Sequence, residues 1–331
     1  MKREGIALVG NILTDNVKMI QTYPSKGMLA TITNENLAVG GCVPNSGIDL
    51  AKLDKNLKVY AYGMVGDDYK GEYVVNQMQK VGIDVSGVLV SKTVPTSYSD
   101  VMTVEGTGER TFFHNRGANK EFSPNNVDID NLKCKMLHAG YLMLLDGFDK
   151  LNEDGTTPMS EFLKSVREKG IKTSIDIVSE SSGNFNKIVK ASLPHCDYVI
   201  INEIEAGEVV GIKPRTKDGQ LIEENLKKIA QKLIDLGVNE KVIIHCPELG
   251  CCLTKDGKYT VVSSIKLKEG FIKGSVGAGD AFCAGALYGI YNDYTDDKIL
   301  ELGNLVAINC LSEKDSVSGV RELGRLYDVL K

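Results

Sequence analysis

The chain has 331 residues, of which 42% are hydrophobic and 25% are charged, and its formal net charge at pH 7 is -5. This composition excludes a disordered chain and allows a sizeable core in one large domain or in two of ordinary size. The basic residues are dispersed, which argues against a surface that binds nucleic acid or an anionic membrane. The first apolar run, IALVG, is too short for a signal peptide or a membrane span, so we expect a cytoplasmic protein.

Cysteines and histidines are spread along the chain without the spacing of a metal site. Several cysteines lie inside apolar runs, a pattern typical of buried thiols in a reducing compartment. We therefore predict neither a disulfide framework nor a zinc site, and we expect core or surface roles for the histidines. These residues are Cys42, Cys134, Cys196, Cys246, Cys251, Cys252, Cys283, Cys310, His114, His138, His195 and His245.

Apolar runs typical of strands alternate with amphipathic helical patterns through most of the sequence. IALVG precedes SGIDLAKL, VYAYGMVG precedes YKGEYVVNQMQKVG, and MLHAGYLML precedes MSEFLKSVREKG. The order continues with KTSIDIV, NKIVKASL, DYVIIN and a long helix around ENLKKIAQKLIDLG. Alternating β and α elements require crossover connections, so the sequence predicts an α/β fold with a mostly parallel sheet and helices on both faces.

Two stretches, residues 12–38 and 94–117, break this alternation. In the second, TSYSDVMTV and RTFFHN alternate polar and apolar residues, which indicates strands with one exposed face. We predict that the two stretches form a small β-sheet lid on a main domain made of residues 1–11, 39–93 and 118–331. A small sheet with an exposed apolar face is readily covered by a partner, so the lid is also a candidate homodimer surface.

The segment KGSVGAGD, residues 273–280, precedes AFCAGALYGIY, whose apolar residues recur with a helical period. Its glycines therefore lie at a helix N-terminus, where unpaired N–H groups favour an anion such as a phosphate. Asp280 beside that anion could take a proton from an incoming hydroxyl. By itself the motif also fits a glycine turn with Asp280 as an ordinary N-cap. The segment is not a Walker loop, since G-x-x-x-x-G-K-[ST] is absent. A dinucleotide-binding GxGxxG after a strand is also absent, which argues against a dehydrogenase.

The segment GSVGAGDAFCAG resembles the C-terminal signature of the PfkB carbohydrate kinases, D-T-x-G-A-G-D-x-F-x-x-G. The resemblance implies a ribokinase-like three-layer α/β/α domain with a small β-sheet lid, ATP as phosphoryl donor, Asp280 as general base, and an anion hole built by the N–H groups of three residues. Those residues are Gly277, Ala278 and Gly279. Gly274 and Ser275 replace the usual Asp-Thr pair that borders a monovalent-cation site, which leaves activation by K⁺ open.

Residues near the N-terminus resemble the parts of this family that bind the acceptor. GGCVPN resembles the family's GGxxxN, which implies that Gly40, Gly41 and Asn45 meet the sugar, although a glycine pair before a helix is also a common turn. Asp15 lies where related enzymes place a lid carboxylate that binds sugar hydroxyls; alone, it would be a turn residue. Arg116, in RTFFHNR, resembles a substrate arginine of the fructokinase and ketodeoxygluconate kinase types, and an exposed surface arginine is the alternative.

Asn202 and Glu205 directly follow the strand-like run DYVII and resemble the family's N-x-x-E motif. At the carboxyl end of a parallel strand they would face a ligand crevice and could position Mg²⁺, through water, over the ATP phosphates. Helix capping by the same two residues is the alternative. Asp176 ends another strand, but the family's D-P-N continuation is missing, so the predicted site leaves it out.

Taken together, these residues predict ATP-dependent phosphorylation of a hydroxyl on a small sugar or sugar acid, such as fructose, ribose or ketodeoxygluconate. A nucleoside kinase that acts on adenosine or pseudouridine is the alternative, and its base slot would need aromatic walls such as Tyr98, Phe113 and Tyr141. A non-catalytic sensor of a sugar or nucleotide is a third reading. The sequence leaves the phosphorylated hydroxyl undefined.

Overall fold

The computed structural model describes residues 3–178 and 184–331. Two sheets, with helices around the larger one, make up this part of the chain, which confirms the α/β class. The strands are β1 Ile6–Gly10, β2 Leu13–Ile20, β3 Ile32–Gly40, β4 Val59–Gly66, β5 Asp84–Ser91, β6 Ser97–Val104, β7 Arg110–Asn115, β8 Met136–Leu142, β9 Lys172–Ile177, β10 Tyr198–Asn202, β11 Lys241–His245, β12 Leu249–Thr254 and β13 Tyr259–Ser263. The helices are α1 Cys42–Leu53, α2 Tyr69–Lys80, α3 Asp146–Asp149, α4 Pro158–Glu168, α5 Phe185–Ser192, α6 Glu203–Val210, α7 Glu223–Asp235, α8 Ala278–Tyr291 and α9 Asp296–Leu311.

The large sheet has the strand order β13-β12-β11-β10-β9-β8-β1-β4-β5. Neighbouring strands are parallel except at one end, where β12 runs antiparallel to both β11 and β13. From β1 the chain first adds β4 and β5 on one side and later adds β8 to β13 on the other. The order of strands therefore reverses between β1 and β8, and a crevice for ligands is expected at the carboxyl ends of these strands.

Each face of the large sheet is covered by helices, because successive side chains of a strand point to opposite faces. In β1, Ala7 and Val9 belong to the core shared with α4, α5 and α7. Ile6 and Leu8 belong to the core shared with α1, α8 and α9. Strands buried on both faces read as continuous apolar runs, which is why the sequence pattern located them. The predicted three-layer α/β/α arrangement is confirmed.

The small sheet consists of β2, β3, β6 and β7 in the order β3-β2-β6-β7. β2 pairs antiparallel with β3 and parallel with β6, and β6 pairs antiparallel with β7. Leu13, the first residue of β2, follows closely on the last residue of β1, so the small sheet lies at the carboxyl edge of the large one. β3 runs to Gly40, two residues past the segment predicted for the lid.

All eight cysteines are buried free thiols, as predicted. Every helix in residues 3–178 and 184–331 is too short or too polar to cross a membrane.

Candidate active site

A cavity of about 930 Å³ lies between the small sheet and the carboxyl edge of the large sheet. The ends of β9, β10 and β11 contribute Asp176, Asn202 and His245, and the small sheet contributes Asp15 and Arg110. The glycine loop before α8 closes one end of the cavity with Asp280. A concave pocket of this size with convergent polar groups is the normal form of a small-molecule site.

Asp280 lies in the first turn of α8 and is only 6% exposed. The hydroxyl of Tyr141 is 2.7 Å from each of its carboxylate oxygens, and Asn45 Nδ2 donates to its Oδ2 at 3.0 Å. Burial raises the pKa of Asp280, while the hydrogen bonds from Tyr141 and Asn45 act in the opposite direction. These contacts fix a carboxylate that can accept a proton at the end of the cavity.

The glycine loop has the geometry of a helix N-terminus that can bind an anion. Gly277 is the N-cap of α8 and has a φ of 78°, in the left-handed region that favours glycine. A Cβ at Gly277 would lie 2.4 Å from Cβ of Ser316, so no larger residue fits without movement. The N–H of Ala278 donates to the carbonyl of Ser275 at 3.4 Å. The first N–H groups of an α-helix have no carbonyl one turn earlier in the helix, which makes this turn a favourable place for an anion.

Asp15 lies on β2 across the cavity from the glycine loop and is 7% exposed. Burial is the main cause that raises the pKa of Asp15 to about 7, and the charge of Asp280 adds to it. A hydrogen bond from Ser99 and the charge of Arg110 partly offset this rise. Gly40 makes room for the carboxylate, since a Cβ there would lie 2.6 Å from Asp15 Oδ2.

Gly41 and Asn45 lie at the start of α1 and pack against other residues around the cavity. Gly41 has a φ of 90°, and a Cβ there would lie 2.5 Å from the carbonyl oxygen of Asn11. The amide of Asn45 donates to Asp280, and its oxygen accepts a hydrogen bond from Ser316 at 2.8 Å. The structure therefore places Asn45 against the candidate base, and its predicted contact with the acceptor stays a prediction.

Asn202 and Glu205 form a capping box at the start of α6. Asn202 Oδ1 accepts from the Glu205 N–H at 2.9 Å, and Glu205 Oε2 accepts from the Asn202 N–H at 3.3 Å. The capping alternative is thus confirmed. Both residues also line the cavity, so the cap fixes them at the carboxyl end of β10, where a Mg²⁺ role would need them.

Asp176, which the sequence analysis leaves out of the site, lines the cavity. Burial raises its pKa well above the usual range, and the charges of Glu205 and Asp280 raise it further. Negative charge on Glu205 or Asp280 therefore opposes the ionisation of Asp176. Its place at the end of a parallel strand next to β10 was a signal that the missing D-P-N continuation led us to discount.

The two arginines of the β7 region occupy different places. Arg116 Nη1 is paired with Asp146, and Arg116 is not among the residues that line the cavity. Arg110, at the start of β7, does line it, and its Nη1 donates to Ser275 Oγ at 3.1 Å. The same sequence segment therefore supplies a cavity arginine, but at a different position from the one predicted.

His245 also lines the cavity, although we expected a core or surface role. Its ring stacks on Phe282 with the centroids 4.8 Å apart, and a Cβ at Gly279 would lie 3.3 Å from its Cε1. Burial lowers the pKa of His245 to about 4, which keeps the ring neutral at pH 7. His114 lines the cavity as well, with Nδ1 3.1 Å from Ser99 Oγ.

The aromatic slot proposed for a nucleoside base is not assembled from the predicted residues. Lys70 Nζ lies 3.7 Å from the ring centroid of Tyr98, which is not among the residues that line the cavity. Phe113 is 56% exposed and also lies outside that group, whereas the adjacent Phe112 belongs to it. Tyr141 reaches the cavity and is hydrogen-bonded to Asp280.

Several kinases are similar to this chain in sequence or in structure. The chain is 23% identical to the 5-dehydro-2-deoxygluconokinase of Clostridium perfringens over 303 residues, which cover 89% of this chain and 86% of the relative. It is 26% identical to the ribokinase of Schizosaccharomyces pombe over 284 residues, which cover 84% of this chain and 82% of the relative. The solved structure of Arabidopsis thaliana ribokinase complexed with ribose and ATP matches with a TM-score of 0.81 and 19% identity, over 100% of this chain and 99% of that one.

The likeness to that ribokinase confirms the predicted ribokinase-like fold. The family model described as "pfkB family carbohydrate kinase" matches residues 4–322, which include every candidate site residue described above. The chain therefore belongs to the pfkB family of carbohydrate kinases.

Proposed function

We propose that the protein transfers the γ-phosphoryl group of ATP to a hydroxyl of a small sugar or sugar acid, with Asp280 as the general base. The observation that carries this proposal is the buried carboxylate of Asp280 at the N-terminus of α8, held by Tyr141 and Asn45 at the end of the cavity. A hydroxyl in that cavity would lie between a proton acceptor and an anion-binding loop, which is what phosphoryl transfer requires.

In the proposed reaction the acceptor oxygen forms a bond to the γ-phosphorus while the bond from that phosphorus to the β–γ bridging oxygen breaks. ADP leaves with the electron pair of the broken bond, and the hydroxyl proton goes to Asp280. The N–H groups of Gly277, Ala278 and Gly279 stabilise the oxygens of the transferred group. These donors are set in place by the helix and need no rearrangement during the reaction.

Asn202 and Glu205 are the residues that we propose would hold Mg²⁺ through water. Within the described ranges, no three His, Cys, Asp or Glu side chains are grouped closely enough to bind a metal ion by themselves. Mg²⁺ usually keeps several waters and needs only one or two carboxylates besides the phosphates, so this pair fits such a site. When bound there, Mg²⁺ would neutralise phosphate charge.

Activation by K⁺ rests on a separate feature of the glycine loop. The backbone of Gly274 packs against the loop after α9, and a Cβ there would lie 2.8 Å from the carbonyl oxygens of Glu313 and Lys314. Carbonyl oxygens are ligands for K⁺, and these two lie beside the glycine that stands in place of the usual Asp. We propose to compare turnover in K⁺ with turnover in Na⁺ at equal ionic strength.

We propose a sugar or a sugar acid as the acceptor, rather than a nucleoside. Asp15 supports this choice, because it is buried at the cavity wall and a carboxylate can accept two hydroxyl hydrogen bonds. Of the three aromatic residues that a base slot was expected to use, two lie outside the group that lines the cavity. The similarity to the 5-dehydro-2-deoxygluconokinase supports a sugar acid in particular.

We also propose a homodimer and a cytoplasmic location. The loop between β2 and β3 exposes Met28 by 71% and Leu29 by 87%, and exposed apolar side chains of this size are suited to a contact with a second copy. The buried free thiols are the state that a reducing compartment maintains.

The first test is ADP release by the purified protein with Mg-ATP against ribose, fructose, ketodeoxygluconate, 5-dehydro-2-deoxygluconate, adenosine and pseudouridine. With the best acceptor, Asp280→Asn should lower kcat by about 10²- to 10⁴-fold, since this is the usual contribution of a general base. The affinity for ADP should change little. Asp297→Asn, in the exposed first turn of α9, is the matched control and should keep full activity.

Near-normal turnover of Asp280→Asn would exclude its role as base. The wild-type protein could instead bind ADP and yet form no ADP from ATP with any acceptor. In that case the catalytic proposal fails, and the interpretation as a non-catalytic sensor takes its place.

A further inference from the structure

The side chain of Tyr141 occupies a place beside Asp280 that suits an acceptor hydroxyl. Its Oη donates to the carboxylate and lies 2.7 Å from each of the two oxygens. Among the residues that the structure describes, it is the only hydroxyl hydrogen-bonded to this carboxylate. A general base must lie about 2.6–3.2 Å from the group whose proton it takes. The phenol of Tyr141 therefore meets the distance requirement for the hydroxyl that Asp280 would deprotonate.

Backbone contacts fix Tyr141 at this place in the fold. It is the last residue but one of β8, whose carboxyl end lies beside that of β1. Its N–H donates to Asn11 Oδ1 at 2.6 Å, in the short segment that joins β1 to β2. Tyr141 lines the same cavity as Gly277 and Gly279 of the glycine loop. The phenol, the candidate base and the candidate anion site thus share one cavity.

The phenol of Tyr141 has a proton to give and an oxygen that can react. Burial raises the pKa of Tyr141 well above its usual range, and the charge of Asp280 raises it further, so the group is neutral at pH 7. A neutral hydroxyl becomes a nucleophile when an adjacent base takes its proton, and tyrosine is among the side chains that form covalent intermediates in this way. Asp280 is the base in contact with it.

We propose that Tyr141 is a second phosphoryl acceptor, so that the protein phosphorylates its own tyrosine when ATP is bound and no sugar is present. Oη forms a bond to the γ-phosphorus while the bond from that phosphorus to the β–γ bridging oxygen breaks. ADP leaves with the electron pair of the broken bond, and the phenol proton passes to Asp280. This inference rests on the proposed kinase function and adds a modification site to it.

Phosphate on Tyr141 would close the cavity to a sugar. A phosphotyrosine carries a charge of about -1.5 to -2 at pH 7 and would lie among the carboxylates of Asp15, Asp176, Glu205 and Asp280. It would also fill the place where an acceptor hydroxyl meets the base. A bound sugar takes that place first and protects the tyrosine. The proposal therefore predicts an inactivation by ATP that the true acceptor prevents.

The experiment incubates the purified protein with Mg-ATP in the absence of an acceptor and locates the phosphate by tandem mass spectrometry. We expect the wild type to carry phosphate on Tyr141. Asp280→Asn should lower the rate of labelling by about 10²- to 10⁴-fold, because it removes the base. Tyr98→Phe is the matched control and should be labelled as fast as wild type, since Tyr98 lies beside Lys70 and outside the cavity wall.

A mixing experiment separates this reaction from the action of a contaminating kinase. Reaction within one chain makes the labelled fraction independent of protein concentration. An affinity-tagged Asp280→Asn protein, mixed with untagged wild type, should stay unlabelled because it lacks its own base. The best acceptor from the screen, at about ten times its Kd, should slow the labelling about tenfold, since about a tenth of the sites then remain free.

Loss of turnover gives a second readout. Wild type preincubated with Mg-ATP should lose turnover of the acceptor in proportion to the label, whereas preincubation with Mg-ADP should have no effect. Tyr141→Phe should keep its own turnover through the same treatment, because it has no phenol oxygen to modify. The location of the phosphate is measured in the wild-type protein, so it does not depend on the folding of this variant.

Three outcomes would overturn the proposal. The first is a Tyr141 that stays unmodified while the protein turns over an acceptor, and this result leaves the kinase proposal intact. The second is equal labelling of wild type and Asp280→Asn. The third is labelling that a saturating acceptor does not slow. If the wild-type protein neither turns over an acceptor nor modifies Tyr141, the kinase proposal fails as well, and that result is distinct from all three.

Discussion

At the scale of single residues, the properties of Asp280 depend on side chains that are distant in sequence. Tyr141 is 139 positions away and Asn45 is 235 positions away, yet both donate hydrogen bonds to its carboxylate. Hydrogen bonds to the charged form of a carboxylate favour that form, so they oppose the rise in pKa that burial causes. The two donors thereby help to keep the candidate base unprotonated near neutral pH.

This arrangement predicts the effect of Tyr141→Phe on the pH dependence of kcat/KM. Loss of the hydroxyl removes a contact that lowers the pKa of Asp280, so that pKa should rise. A base acts only when unprotonated, and a higher pKa means that it is protonated at a higher pH as the solution is acidified. The acidic limb of the profile should therefore move to higher pH. Steady-state rates between pH 5 and 9 would measure this shift.

Tyr98→Phe is the control for this experiment, because Tyr98 lies beside Lys70 and not in the cavity wall. Its profile should follow that of wild type. An acidic limb that stays in place, or moves to lower pH, in Tyr141→Phe would contradict the account of Asp280 given above.

At the scale of one element, the N-terminus of α8 needs a left-handed backbone at Gly277 and brings that residue close to Ser316. Gly277 has a left-handed backbone, and the chain passes so close to Ser316 that a Cβ would lie 2.4 Å from its Cβ. The sequence pattern of glycines before a helix predicted this turn at a helix N-terminus. The contact with Ser316, in the loop after α9, could be seen only in the folded chain.

We expect Gly277→Ala to destabilise the protein by about 2–4 kcal/mol, because it adds a steric overlap to the cost of a left-handed alanine. Gly257→Ala isolates the cost of the left-handed alanine, since Gly257 has a φ of 92° and no atom lies within 4 Å of its added Cβ. That control should cost about 1–2 kcal/mol. Urea unfolding of both variants measures the two free energies, and equal losses would show that the overlap with Ser316 is relieved without cost.

At the scale of the whole molecule, the small sheet covers a cavity whose other walls come from the large sheet. Asp15 and Arg110 belong to the former, and Asp280 belongs to a helix packed on the latter. The candidate site is thus complete only when both parts are in contact. Exclusion of water by this cover is the conformational step that we expect on substrate binding.

The exposed loop of the small sheet predicts the oligomeric state. Because Met28 and Leu29 are the most exposed large apolar side chains in the described chain, we expect a homodimer that buries them. Light scattering after size-exclusion chromatography should give twice the mass of one chain. The double variant Met28→Asp with Leu29→Asp should shift this value towards one chain, since each copy would bury two unpaired carboxylates in the contact.

Tyr69→Asp, at a similarly exposed tyrosine on α2, is the control and should leave the mass unchanged. A monomer in the wild-type protein at concentrations up to about 100 μM would rule out a stable dimer, because interfaces of standard size bind more tightly than this.

The sequence by itself determined the alternation of strands and helices, the break in that alternation where the small sheet forms, and the glycine turn before Asp280. These are local features: hydrophobic period, turn residues and helix-start signals depend on neighbours within a few positions. The tertiary structure alone decided which arginine reaches the cavity and that Asp176 and His245 line it. It also decided that Tyr141 and Asn45 hold Asp280. Strand order and helix packing bring these side chains together from distant parts of the chain, and no local pattern records such contacts.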